Sequence, residues 1–221
     1  MLVALFSVQQ GYEKRFFLFV SFFILLLFIA FRSVEVGTDT AAYYYIFDQL
    51  TTSDETRFEP VFRWVNLLVY RLGGGPEVAM MLFGTVATLL VARFVMLYSP
   101  SYTLSLSLFL GLAFYFYNFN IVRQGVAIAI TCTSIGCIVR REHFKFILLI
   151  VLAAGFHFSA AIFYFAYFLR RRIPMLLLIG VWLVSLASLV IFDPIDIFFW
   201  IMSPFISNYY KVYFLDRKSV V

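Results

Sequence analysis

Charged residues are scarce in this chain, since Asp, Glu, Lys and Arg together make up 13% of its 221 residues. Hydrophobic residues account for 63%, and 29 residues are Phe. No segment is polar enough to form a separate soluble domain, so residues 1–221 are predicted to form a single integral membrane domain. The net charge of +5 comes with Lys and Arg clusters between apolar runs, which indicates membrane orientation and argues against a nucleic-acid-binding face.

Cysteine and histidine are also rare, with two residues of each. Cys132 and Cys137 lie in one apolar segment, and their spacing fits neither a disulfide framework nor a metal site. Small buried hydrophobic side chains are the common role of such residues. We expect no metal site built from protein ligands and no cofactor.

Apolar runs recur along the whole chain. Membrane spans are predicted over residues 16–31, 77–98, 102–119, 121–139 and 175–192. Lys14 and Arg15 precede the first run, which is expected to remain as a membrane anchor with this pair in the cytoplasm. Residues 32–59 then form an extracytoplasmic loop, and they contain more acidic than basic residues.

Three further segments, 60–72, 144–169 and 197–214, are harder to assign. Residues 60–72 are short for a bilayer, because about twelve residues at 1.5 Å each reach roughly 18 Å. Residues 144–169 have arginines near both ends, which favours a helical hairpin that breaks near residues 155–157. The predicted fold class is an all-α polytopic transmembrane helix bundle with re-entrant or broken helices, in which residues 32–59, Arg123 and His157 meet in the outer half of the membrane.

Arg123 is a candidate functional residue because it interrupts an apolar region. An ionisable group at membrane depth costs roughly 2.5 to 3.5 kcal/mol on insertion scales, so such groups are functional candidates by default. Asn118, Asn120 and Gln124 surround Arg123 at the start of a helix rich in small residues. A guanidinium beside the N–H groups of a helix start suits a phosphate or pyrophosphate. Snorkelling to the interface and pairing with a loop carboxylate are the alternatives.

His157 also lies within an apolar run. Imidazole titrates near neutral pH, so His157 can bond a ligand phosphate or act as an acid or base. The alternative is a core histidine bonded to a helix carbonyl. Ser159 suggests a serine hydrolase dyad, but no GxSxG turn accompanies it.

Residues 37–45 combine a turn glycine, an acid and several tyrosines. Asp39 either caps the following helix or binds, or deprotonates, a sugar hydroxyl. Tyr43 and its neighbours form either a flat wall for a sugar or an interfacial tyrosine belt. Glu59 precedes Pro60, a pattern that also marks a helix N-terminus.

Four motifs, in this order and spacing, resemble the EpsG family of Wzy-like membrane proteins in bacterial exopolysaccharide and capsule synthesis. They are Arg32 with Gly37-Thr38-Asp39-Thr40 and Tyr43, then Glu59-Pro60-Val61-Phe62, then Asn120-Ile121-Val122-Arg123-Gln124-Gly125-Val126-Ala127, and Phe156-His157-Phe158-Ser159-Ala160. The resemblance covers about residues 14–170. Family members usually continue through further spans, so this chain is expected to be a truncated or divergent member.

The resemblance implies a polysaccharide polymerase with a GT-C-like architecture in the bacterial cytoplasmic (inner) membrane. Such a membrane glycosyltransferase transfers undecaprenyl-pyrophosphate-linked glycan repeat units onto another lipid-linked repeat at the outer face. The expected partners are this lipid-linked oligosaccharide, membrane lipids and other polysaccharide-synthesis proteins, and no nucleic acid. The alternative function is a non-catalytic subunit or a flippase-like carrier of the same glycan.

The expected catalytic residues are Arg123, His157 and Asp39. Arg123 stabilises the pyrophosphate leaving group, and either Asp39 or His157 orients or deprotonates the acceptor hydroxyl. The expected substrate-binding residues are Arg32, Thr38, Tyr43, Glu59, Asn120 and Gln124.

Overall fold

The computed structural model describes residues 12–52, 57–170 and 174–191. In these ranges every regular element is a helix, which confirms the predicted all-α class. The α-helices are α1 (Tyr12–Ala30), α2 (Thr40–Thr52), α3 (Pro60–Arg71), α4 (Pro76–Tyr98), α5 (Tyr102–Gly111), α6 (Phe114–Asn120), α7 (Val122–Arg140), α8 (His143–Ala154) and α9 (Met175–Ile191). A 3-10 helix, Phe158–Arg170, lies between α8 and α9 in the chain.

Local sequence signals mark several helix ends. Pro60 and Pro76 occupy the first turns of α3 and α4, where a missing N–H breaks no helical hydrogen bond. The hydroxyl of Ser101 caps α5 by accepting a hydrogen bond from the backbone N–H of Leu104 at 3.4 Å. Helix α7 ends at Arg141, whose left-handed φ of 61° stops the helical path.

Within the described ranges, two helices are long and apolar enough to cross a bilayer, α4 with 23 residues and α7 with 19. The pair α5 and α6 makes a third span if its 46° bend is included. The span predicted over 102–119 is therefore bent, because Ala113 adopts a left-handed φ of 61° between the two helices.

Helices α1 and α9 correspond to the spans predicted over 16–31 and 175–192, but their apolar lengths are smaller. The start of α1 carries Glu13, Lys14 and Arg15. Helix α9 has 17 residues, or about 26 Å at 1.5 Å per residue, slightly less than a hydrocarbon core of roughly 30 Å. Bilayer crossing by these two helices stays a prediction.

The chain divides into two compact units, residues 1–170 and 171–221. Helix α9 is the described element of the second unit. The predicted membrane segment 197–214 lies outside the described residues. The single domain predicted over residues 1–221 stays a prediction.

Helix α7 is the central helix of the first unit, where it packs against α4, α8 and the 3-10 helix. Many of the residues that it buries are small, among them Gly125, Ala127, Ala129, Ser134 and Gly136. Small side chains let membrane helices approach closely, which matters because lipid supplies little hydrophobic drive between helices. The core beside the first turns of α7 is filled by Phe62, Phe83 and Phe156. The ring centroid of Phe83 lies 5.3 Å from that of Phe62 and 6.1 Å from that of Phe156.

The chain turns back at residues 155–157, between α8 and the 3-10 helix. The ring of His143, at the start of α8, stacks on Tyr167 near the end of the 3-10 helix, with centroids 4.4 Å apart. Phe146 is fully buried and contacts the rings of Tyr164 and Tyr167. The start of one helix thus meets the end of the other, and the two form a hairpin whose tip carries His157.

A substitution at Gly84 tests the close packing of α4 against α1. A Cβ atom at Gly84 would lie 2.8 Å from Cγ1 of the buried Ile29. We expect Gly84→Leu to lower the free energy of unfolding by about 1 to 3 kcal/mol, as overpacking does in other cores. Gly180→Leu in α9 is the matched control, because a Cβ atom there would meet none of the described residues within 4 Å. Thermal unfolding in detergent checks this, and equal melting temperatures for both variants would contradict the packing.

Candidate functional site

Glu59 lies directly before α3 and joins two distant parts of the chain. Its side chain does not cap its own helix. Instead, Oε2 forms an ion pair with Nη1 of Arg123 at 2.5 Å, and Oε1 lies 3.2 Å from Nδ1 of His157. The backbone N–H of Phe158 donates to the same Oε1 at 3.4 Å. We refer to Glu59, Arg123 and His157 as the Glu59 cluster.

Arg123 lies in the first turn of α7, and aromatic rings cover its guanidinium. Its Cζ atom is 5.3 Å from the ring centroid of Phe58 and 5.5 Å from that of Phe62. Such cation–π contacts contribute about 0.5 to 2 kcal/mol, more when they are desolvated. The side chains of Arg123 and Glu59 are each 16% exposed. Because little water screens the pair, the two charges attract strongly.

Backbone hydrogen bonds attach the hairpin tip to the start of α3. The carbonyl of Gly155 accepts from the N–H groups of Val61 and Phe62, at 2.9 and 3.1 Å. A helix start leaves these N–H groups without intrahelical partners. A Cβ atom on Gly155 would overlap Cγ2 of Val61, so glycine permits this close approach. The attachment brings His157 next to Glu59.

The charge states in the Glu59 cluster follow from burial and pairing. Burial raises the pKa of Glu59, but its hydrogen bond with His157 and the charge of Arg123 outweigh this, and the net pKa lies below its ordinary value. Glu59 is therefore ionised at neutral pH and only accepts hydrogen bonds. Nδ1 of His157 must then carry the hydrogen, so a neutral His157 has its lone pair on Nε2.

Tyr43 of α2 packs behind the ion pair. Its ring meets the ring of Phe62 edge-on with centroids 6.3 Å apart, and its side chain is 8% exposed. Burial raises the pKa of Tyr43, and the charge and hydrogen bond of Arg123 offset part of that effect. Tyr43 thus supports Arg123 from the core, and its ring does not form an open wall for a sugar.

A second polar contact joins the loop before α2 to the junction of α6 and α7. Oδ1 of Asn120 accepts hydrogen bonds from the backbone N–H of Thr38 at 2.8 Å and from its hydroxyl at 3.2 Å. Gly37 has a φ of 94°, and a Cβ atom there would lie 2.7 Å from the carbonyl oxygen of Phe119. Glycine allows both the left-handed backbone and the close approach. This contact places residues 37–40 beside the start of α7.

Three other predicted site residues lie around this second contact. Asp39 directly precedes α2, and its exposed carboxylate lies 3.4 Å from the hydroxyl of Thr38, whose single hydrogen it shares with Asn120. Gln124 is half-buried in the first turn of α7. The guanidinium of Arg32 lies over the ring of Phe119, 5.2 Å from its centroid.

Glu59, Arg123 and His157 were all among the site residues predicted from the sequence. The predicted catalytic carboxylate, however, was that of Asp39, and Glu59 was predicted to bind substrate. In the structure, the carboxylate bonded to Arg123 and His157 is that of Glu59. The prediction from the sequence did not include the ring of Phe58, which covers Arg123, or the carbonyl of Gly155, which binds the start of α3. Phe58 is one of many aromatic residues in the chain, and its position next to Glu59 was the available signal. A carbonyl acceptor has no sequence signature.

The arrangement combines an oriented imidazole with a guanidinium that is largely removed from water. An imidazole with a free Nε2 lone pair can take a proton, and a desolvated guanidinium can stabilise an anion. Within the described ranges, no group of three or more His, Cys, Asp or Glu residues is arranged to hold a metal ion. The site chemistry that these side chains support is proton transfer together with stabilisation of negative charge.

The long apolar helices, the bent pair and the enclosed polar cluster define an all-helical integral membrane protein. A model of the EpsG family matches residues 15–220, and the chain therefore belongs to the EpsG family. Family membership indicates a membrane protein of exopolysaccharide biosynthesis. The match confirms the resemblance of the four motifs and extends it from residue 170 to residue 220.

Comparisons with curated proteins and with solved structures gave no match. The GT-C-like architecture therefore stays a prediction.

A substitution at Gly155 tests the attachment of the hairpin tip to the start of α3. Its helical φ of −68° and ψ of −18° suit alanine, so the cost of Gly155→Ala should arise from the contact with Val61. We expect Gly155→Ala to lower the free energy of unfolding by about 1 to 3 kcal/mol and an added Val61→Ala to recover part of it. Thermal unfolding of both single variants and the double variant measures this coupling. Strictly additive effects would argue against the contact.

The ion pair of Glu59 predicts a pH dependence of stability. Because its folded-state pKa lies below the ordinary value of about 4.3, its contacts stabilise the fold fully above that pH. That stabilisation is lost as the pH falls through the lower folded-state pKa. We therefore expect the stability difference between the unsubstituted protein and Glu59→Gln to shrink as the pH falls below the ordinary carboxyl pKa of about 4.3 and through the lower folded-state pKa.

The matched control for this experiment is Glu142→Gln. Glu142 pairs with Lys145 at 3.2 Å and is 29% exposed, so its ion pair should contribute less to stability. Chemical unfolding across the pH range measures both differences. A Glu59 effect that grows as the pH falls would contradict the ion pair as described.

Proposed function

We propose that this protein polymerises glycan repeat units carried on undecaprenyl pyrophosphate, at the outer face of the bacterial cytoplasmic membrane. The observation that supports this most is the Glu59 cluster, in which one partly buried carboxylate pairs with both a guanidinium and an imidazole. Membership of the EpsG family supports the substrate class. The lipid-linked oligosaccharide is the proposed partner, together with other proteins of polysaccharide synthesis.

In the proposed reaction, a hydroxyl oxygen of the acceptor repeat attacks the anomeric carbon of the donor sugar. The bond between that carbon and the pyrophosphate oxygen breaks, and its electron pair leaves with undecaprenyl pyrophosphate. The acceptor hydroxyl gives its proton to a base on the protein. Because the donor arrives activated, the reaction requires no cofactor and no covalent intermediate with the protein.

His157 is the proposed base. Glu59 accepts the hydrogen bond from Nδ1, which leaves Nε2 to take the acceptor proton, and the carboxylate then stabilises the imidazolium that forms. The His157 side chain is 28% exposed, which is compatible with access for a sugar hydroxyl. Asp39 is the alternative base. Its exposure and its bond to Thr38 favour a role in binding the sugar.

Arg123 is proposed to stabilise the departing pyrophosphate. It stands in the first turn of α7, where backbone N–H groups and the positive end of the helix dipole also favour an anion. The rings of Phe58 and Phe62 keep water from the guanidinium, which strengthens its interaction with developing negative charge. Glu59 fixes the orientation of Arg123 before substrate binds.

The proposed substrate-binding residues divide into two groups. Thr38 and Asn120, with Arg32 and Gln124 nearby, lie at the junction of α6 and α7, where they can bond sugar or phosphate oxygens. Tyr43 and Glu59 instead act by positioning Arg123, since both are largely buried against it.

Polymer formation in cells tests the proposed site. We expect His157→Gln and Arg123→Lys each to lower the rate of polymer formation by about 10²- to 10⁴-fold at unchanged protein level. The first variant removes the proposed base, and the second removes the guanidinium proposed to bind the pyrophosphate. His143→Gln is the matched control. It replaces the other histidine of the chain, which stacks on Tyr167 away from the Glu59 cluster.

Two results would contradict the proposal. A normal rate of polymer formation in both site variants would show that the Glu59 cluster takes no part in catalysis. Purified protein that binds lipid-linked repeat units saturably, but never lengthens the glycan, would instead favour the non-catalytic subunit or flippase-like carrier.

A further inference from the structure

A cavity of about 990 Å³ lies between the second half of α1 and the bent pair α5 and α6. We refer to it as the α1 groove. Most of its wall is apolar, with aromatic rings from both sides: Phe28, Phe31, Phe116 and Phe119. Its volume is near the upper end of the usual range for ligand pockets, roughly 300 to 1,000 Å³. The groove is therefore large enough for an extended stretch of hydrocarbon chain.

One end of the α1 groove is polar and positively charged. Arg32, Ser33, Gly37 and Asn120 line that end. Nε and Nη1 of Arg32 are buried and, in the part of the chain that the structure describes, have no hydrogen-bond partner. A guanidinium stays charged at physiological pH, and unpaired buried donors on a cation are costly. An anion at this end of the groove would compensate the positive charge of this guanidinium.

We infer that the α1 groove binds the polyprenyl chain of a lipid-linked glycan and that Arg32 binds the phosphate at the head of that chain. The inference rests on the proposed function for the kind of lipid. A groove with a cationic end matches a single hydrocarbon chain bonded directly to phosphate. A membrane phospholipid fits less well, because it has two acyl chains and a glycerol between them and the phosphate.

The α1 groove is continuous with the proposed reaction site through Phe119 and Asn120. The ring of Phe119 lies under Arg32, and its carbonyl oxygen lies 3.4 Å from the hydroxyl of Thr40, whose shorter bond goes to the carbonyl of Val36. Asn120 lines the groove and also bonds Thr38. Helix α7, with Arg123 in its first turn, starts directly after this junction. A lipid phosphate at Arg32 would therefore hold its sugars near the Glu59 cluster.

Lipid binding to the purified full chain tests this inference separately from catalysis. The probes are undecaprenyl phosphate, undecaprenol and dioleoyl phosphatidylglycerol, each added to the protein in detergent. A ligand that binds the folded state raises the melting temperature. We expect undecaprenyl phosphate to raise it in a saturable manner, undecaprenol to act more weakly because it lacks the phosphate, and phosphatidylglycerol to have little effect.

Two variants address the two ends of the site. Arg32→Gln removes the cation, and Leu27→Trp narrows the apolar part, where Leu27 lines the groove. We expect each to weaken the apparent affinity for undecaprenyl phosphate at least tenfold. The matched controls are Arg71→Gln, at the exposed end of α3, and Leu89→Trp, at a half-exposed position on α4.

The outcomes separate this inference from the proposed function. His157→Gln should lower the rate of polymer formation by about 10²- to 10⁴-fold yet bind undecaprenyl phosphate normally. If Arg32→Gln and Leu27→Trp bind it as tightly as their controls, the α1 groove is not the polyprenyl site, whatever the fate of the polymerase proposal. Equal stabilisation by phosphatidylglycerol would also overturn the inference and identify an ordinary lipid site.

Discussion

The partly buried carboxylate of Glu59 makes the contacts on which the arrangement of the first unit depends. It pairs with a cation at the start of α7 and with an imidazole at the hairpin tip, although these residues are 64 and 98 positions away in sequence. Removing one partner of such a pair leaves the other charge partly desolvated and uncompensated, which destabilises the fold. The helix start, the hairpin tip and the loop before α3 are therefore held in place together, and none of them can move far alone.

Much of the architecture followed from the amino-acid sequence. Few charges and recurrent apolar runs predicted a helical membrane protein, since only helices satisfy their own backbone hydrogen bonds within one segment in lipid. Arg123 and His157 stood out because ionisable groups are rare in apolar runs. Their motifs, with those at residues 37–40 and 59–62, also predicted the family whose model matches residues 15–220.

The pairing inside the site could not be predicted with the same success. Both Asp39 and Glu59 precede a helix, so sequence position alone does not tell which carboxylate turns inward to Arg123 and which stays exposed beside Thr38. The bend at Ala113 had only a weak signal in Gly111, because a left-handed alanine is unusual and no proline marks the break. These features depend on tertiary contacts between segments that are distant in the chain.

The 3-10 helix after His157 makes this segment longer than an α-helix of the same number of residues. With a rise of about 2.0 Å per residue, its 13 residues extend about 26 Å, whereas an α-helix of that length would extend only about 20 Å. Three residues per turn also align side chains in straight rows. One row, with Tyr164 and Tyr167, faces α8, while Ile162, Phe165 and Phe168 form another that is more than half exposed. Its length of about 26 Å is close to the roughly 30 Å of a hydrocarbon core, and its exposed row is apolar from Ile162 to Phe168.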